Sequence, residues 1–211
     1  MKTFITTLLI IFIGCNLFAQ NTIKIGSDDQ EIKTIFKKEK KDGFYGSISA
    51  GYSPIDNKDG MTFSARGCWI MDHFFSFGIG GTGFVNELDQ IGLKGLNFSS
   101  NDDLKLSGGY GGIIIEPILA PLQPVHLSFP ILIGGGAAGS FYNYENFSSY
   151  YVNDFFWVVE PEVEFEANFT KWLRIAIYAG YRYTSALNIT GISKNALRCY
   201  TTGVTLKMGI F

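Results

Sequence analysis

From Gly43 onward the chain changes side-chain character at every second residue, and WVVEPEVEFEANF (157–169) does so most strictly. Glu160, Glu162, Glu164 and Glu166 hold one register, while Trp157, Val159, Val163, Phe165 and Phe169 hold the other. On a helix this pattern would spread charge around every face. On a strand successive side chains point to opposite sides, so one face becomes acidic and the other greasy. Segments 44–52, 62–69, 75–82, 112–119, 125–136, 173–183 and 200–210 repeat the rhythm, which with the glutamate segment predicts eight strands. Each is close to the roughly 9–11 residues that a tilted membrane strand requires.

The connections predict how these strands are joined. Residues 71–73, 120–124 and 168–171 are short turns, whereas 53–60, 86–107, 141–154 and 184–196 are longer loops. Short turns at one end and long loops at the other suit an antiparallel up-and-down β-barrel. Pro117, Pro130 and Pro161 fall inside predicted strands, where each removes a ladder donor, so a β-bulge is expected at each.

Which face is inside follows from side-chain size. The polar register is rich in small residues such as Ser47, Ser49, Ser64, Ser76, Gly78, Gly80 and Thr205, which fit a narrow interior. The apolar register is large and continuous from strand to strand, which suits lipid, and only a closed sheet satisfies its backbone there. The expected fold is therefore an all-β, eight-stranded antiparallel transmembrane barrel over 43–211. Past the first twenty residues no apolar run approaches the roughly 18–20 residues of a membrane helix.

With the polar face inside, Glu116, Glu160, Glu162, Glu164 and Glu166 share the lumen with Arg66, Arg174, Arg182 and Lys207. Unpaired buried charge costs several kcal/mol, so these groups are expected to pair into a core that fills the barrel. Eight strands leave an interior just wide enough for side chains. Clustered carboxylates also serve catalysis or calcium binding. However, the chain has only two histidines, His73 and His126, both near predicted short turns, so a catalytic set at the loop end would lack its base. No metal-ligand spacing and no phosphate loop occur. We expect no enzyme activity, cofactor or metal, and the formal charge of −2 offers no basic surface for nucleic acid.

The N-terminus, MKTFITTLLIIFIGCNLFAQ, has a basic start, an apolar stretch and a small-residue cleavage site. We read 1–19 as a secretory signal and 20–42 as a polar periplasmic linker. The rival, lipidation at Cys15, puts Phe12 where such signals prefer leucine. Of the remaining cysteines, Cys68 is placed near the turn end and Cys199 near the loop end. That separation exceeds the roughly 7 Å limit of a disulfide, so free thiols are expected.

The hairpin EPEVEFEANFTKWLR, the motif GYRY, the signal ending in AQ and the terminal Phe211 together resemble the small outer-membrane barrels common in Bacteroidota, similar in architecture to OmpA and OmpX. The resemblance covers roughly 43–211. It implies a monomer in the Gram-negative outer membrane, surrounded by lipid, with its N-terminus periplasmic. It also implies recognition of Phe211, Ile210 and Met208 by the barrel-assembly machinery. In such signals the apolar residues step back by twos from the terminal aromatic, whereas here Val204, Leu206, Met208 and Ile210 carry that register. The expected role is structural, or surface interaction in which loops 86–107, 141–154 and 184–196 meet an extracellular ligand. Two alternatives stand beside it: a narrow ion or small-solute pore, and a soluble lipocalin-like binder with the faces reversed.

Overall fold

A computed structural model describes residues 42–56, 58–86, 104–144, 147–189 and 191–211. The expected signal and linker, and most of loop 86–107, lie outside these residues. The strands are β1 (Gly43–Tyr52), β2 (Met61–Met71), β3 (Phe75–Val85), β4 (Leu104–Leu119), β5 (Val125–Ser128), β6 (Ile131–Tyr144), β7 (Phe147–Asn168), β8 (Leu173–Thr184) and β9 (Cys199–Ile210). All pairings are antiparallel between neighbours, and β9 returns to pair with β1, so the sheet closes. Segments β5 and β6 are two halves of one barrel strand, because both lie between β4 and β7. The result is an eight-stranded up-and-down barrel.

The prolines do not produce the expected bulges. Ser128 pairs with Glu164, and three residues later Ile131 pairs with Pro161, so no residue is gained across Pro130. Pro117 pairs with Phe75 in unbroken register, and Val159–Tyr183 and Glu162–Gly180 keep step on either side of Pro161. Here the chain gives up individual ladder bonds, and carbonyls find other donors: Phe129 N–H donates to Pro117 O (2.9 Å) and Glu162 N–H to Pro130 O (2.8 Å). The register shift occurs instead between Ala138 and Gly139, where the partner changes from Asp154 to Val152 and Asn153 is left over. It lies outward of all four glutamates, so Glu160 to Glu166 stay on one face.

A second correction concerns the segment 141–154. It is not a long loop: β6 runs to Tyr144 and β7 begins at Phe147, so the two strands extend their hairpin almost to its tip. Residues 104–107, also expected in a loop, belong to β4.

The alternation places the large apolar residues outside. Phe44, Trp69, Phe77, Ile113, Val159, Phe165, Ile177, Val204 and Ile210 are all exposed, Ile79 to 69% and Trp157 to 76%. Inside, three layers fill the lumen. At the loop end Phe84, Tyr110 and Phe156 form an aromatic cluster with centroids 6.2–6.4 Å apart. Over it lie Ile55 from the β1–β2 connection and Leu187, Ile189 and Leu197 from the β8–β9 connection, all buried. The two connections are joined where Asp56 N–H donates to Ala196 O (3.0 Å). The middle layer is charged. At the turn end Tyr45, Ile70 and Ile118 are buried, and Phe211, just past β9, stacks on Tyr45 at 6.0 Å. Phe211 thus turns toward the mouth of the lumen, while Ile210 and Met208 face outward.

Candidate functional site

The charged layer arises because five strands, β2, β4, β7, β8 and β9, deliver acidic or basic residues (Arg66, Glu116, Glu162, Glu164, Glu166, Arg174 and Lys207) to the same height on the inward register. Lys207 of β9 is its centre. Its ammonium lies 2.5 Å from Glu116 Oε1, 2.6 Å from Glu164 Oε2 and 2.7 Å from Glu166 Oε1, and the residue is only 1% exposed. The ammonium donates hydrogen bonds to Glu116 and Glu166, and Glu164 completes the ion-paired ring around it. The oxygens of these three glutamates approach closely enough to suggest a metal cage. Lys207 already fills its middle as the counter-charge.

The remaining oxygens of these three carboxylates are also engaged. Glu116 accepts from Tyr45 Oη and from Ser76 Oγ (2.5 Å). Glu164 accepts from Arg66 and, at 3.2 Å, from Ser128 Oγ, which also donates to Glu166. Arg66 reaches on to Glu162 at 3.4 Å. Glu166 Oε2 faces His126 Nε2 at 3.2 Å and Arg174 Nη1 at 3.6 Å. Buried pairs of this kind offset their desolvation only when such extra hydrogen bonds are present; here they are.

Glu160 and Arg182 form a second, outer station. Tyr110 Oη donates to Glu160 Oε2 (2.5 Å) and accepts from Arg182 Nη1 (3.3 Å), so a phenol stands between the two charges. The rest of the Arg182 guanidinium serves the loop end: Nε donates to Leu197 O (3.0 Å) and Nη2 to Ser53 Oγ (2.7 Å) and Cys199 Sγ (3.0 Å). One side chain therefore ties both capping connections to the barrel. Arg182→Ala is expected to leave the strands formed but loosen those connections, seen as faster protease cleavage within 185–198. Unchanged cleavage would remove Arg182 from this role.

All nine lumen residues expected from the sequence lie on the inner face. The pairing differs in detail from neighbour-strand expectation, since among the described residues Arg182 does not reach a carboxylate directly and Lys207 spans the barrel to Glu116. Three participants were missed by attention to charge alone, Tyr45, Tyr110 and Ser128, while Ser76, placed on the inward register, turns out to bond Glu116. They stand on the inward register, which is the signal that could have found them. His126, expected at a rim, is instead buried beside Glu166. Cys68 and Cys199 are both buried free thiols, as expected.

The chemistry open to this arrangement is limited by access. Ser128 donates to Glu166 directly while His126 bonds the other oxygen, so the hydroxyl does not address an imidazole base. Between Arg66, Glu160 and Glu162 the lumen retains a cavity of about 20 Å³, lined also by Ser64, Thr82 and Leu132. That is room for about one water molecule.

No protein-family model matches the sequence, and no curated protein matches it. Among solved structures the chain is similar to Neisserial surface protein A, at 10% identity and a TM-score of 0.48 over 80% of this chain and 96% of that one. It is similar to Ail, the attachment invasion locus protein of Yersinia pestis, at 11% identity and 0.45, covering 80% and 97%. The N-terminal β-barrel domain of Pseudomonas aeruginosa OprF gives 5% identity and 0.43, covering 80% and 97%.

Proposed function

We propose that this chain is an integral outer-membrane barrel of the small, Bacteroidota-type class, whose role is structural or surface-interactive rather than catalytic. The observation that carries the reading is the inversion of the molecule: charge fills a closed interior while large apolar side chains cover the outside on every strand. In water that exterior would be an aggregation surface far beyond the few hundred Å² a monomer ordinarily exposes. In lipid it is the required coat. A soluble lipocalin-like binder would need an apolar interior cavity, and the centre of this lumen is ionic.

The rigid, plugged interior leaves the loop end as the surface for meeting other molecules. There the long β6–β7 hairpin stands beside the capping connections held by Arg182. A pore is the less favoured reading, because Lys207 and its three carboxylates occupy the axis where a channel would run. Mature protein folded in detergent is expected to migrate faster on a denaturing gel unboiled than boiled, with β circular dichroism before heating. Good solubility without detergent and no heat-dependent shift would overturn the membrane assignment. Planar bilayers containing the same preparation are expected to show no stepwise conductance.

A further inference from the structure

At the turn end a pocket of about 390 Å³ opens over the mouth of the barrel, lined by His73, Leu122, Thr170, Lys171, Arg174 and Phe211 among others. Its size is that of a small-ligand site. Among the described residues no Asp or Glu side chain lines it, and of its two cations only Arg174 has a carboxylate nearby, Glu166 at 3.6 Å on the side away from the pocket lining. Arg174 is only 5% exposed, yet its hydrogen-bonding capacity is not used up. Nη1 lies 3.3 Å from His126 Nε2 and 3.6 Å from Glu166 Oε2, an ion-pair distance, and Nε has no acceptor among the described residues. The Phe211 ring lies 3.8 Å from the guanidinium carbon and holds one face of the group. A guanidinium covered on its face presents its remaining donors along its edge, the geometry that takes a two-oxygen anion.

We propose that this mouth is a binding site for an oxyanion, a carboxylate or phosphate group of a small solute or of a lipid headgroup, gripped by Arg174 and Lys171. The site lies at the opposite end of the barrel from the loops and stands whether or not the loops bind anything. Arg174 supplies the directed donors; Lys171, exposed on the β7–β8 turn, adds charge at the rim.

The chain has four arginines, Arg66, Arg174, Arg182 and Arg198, so their Nε–H groups can be followed individually by NMR in dodecyl maltoside micelles. Titration with inorganic phosphate and with acetate, against chloride at constant ionic strength, is expected to shift the Arg174 signal saturably and leave Arg182 in place. Lys171→Gln, a change in an exposed turn, is expected to weaken the response about threefold, in keeping with one solvated charge. Vesicles of phosphatidylglycerol against phosphatidylcholine separate the sources. A response to the anionic lipid but not to free phosphate or acetate assigns the site to a headgroup, and a response in micelles assigns it to a soluble anion. No saturable shift in any arm, or equal shifts at all four arginines, would overturn the proposal.

Discussion

Replacing Lys207 by methionine is expected to cost the barrel about 3–5 kcal/mol, the penalty for removing one member of a buried ionic cluster. The loss is large because the volume is kept while three carboxylates, Glu116, Glu164 and Glu166, are left facing one another with their shared cation gone. Glu164 would retain Arg66 and Glu166 would retain Arg174, but Glu116 has no other cation bonded to it among the described residues. The urea midpoint of the folded band in detergent should fall sharply for Lys207→Met. Adding Glu116→Gln and Glu166→Gln should restore much of it, since neutral amides can pair with the surrounding hydroxyls. An unchanged midpoint in the single variant would mean that the ammonium does not neutralise this layer.

The second large effect is steric. Gly112 of β4 and Gly134 of β6 are cross-strand partners on the inner face. A Cβ placed on Gly112 would lie 2.2 Å from the carbonyl oxygen of Ile133 and 2.7 Å from the Gly134 Cα. Those atoms are backbone, so the contact is relieved only by parting the strands. Gly112→Val should therefore cost about 3 kcal/mol, at the upper end of ordinary overpacking, and deplete the fast-migrating unboiled band. Gly67 on the outer face provides the control, because nothing lies within 4 Å of a Cβ there. Gly67→Ala should fold like the parent. Equal folding of Gly112→Val would show that this part of the wall has slack.

The facing of the glutamate strand was legible because period two leaves no freedom: once Val159, Val163 and Phe165 are outside, the four glutamates must be inside. The same logic placed Arg66, Arg174, Arg182 and Lys207. It could not say who meets whom across the lumen, since the Lys207–Glu116 contact joins strands that are not neighbours and depends on closure. Nor did it recover the extended β6–β7 hairpin, because serines, asparagines and tyrosines at 141–154 carry turn-like composition that the paired backbone overrides. The prolines misled for a related reason. A missing donor is a local fact, but whether the strand then slips depends on the carbonyls around it, and Phe129 and Glu162 supply the bonds that let the register continue.

The position of Lys207 also has a bearing on how the chain reaches its final state. Its three acidic partners lie on β4 and β7, while Lys207 itself arrives on the last strand, the one that seals against β1. Until that seam closes, Glu116 lacks the ammonium that neutralises it. A partly formed sheet would hold that uncompensated charge in its interior, at a cost of several kcal/mol. Closing the seam and neutralising the acidic layer are thus one event, since the same strand supplies both the last ladder and the central cation.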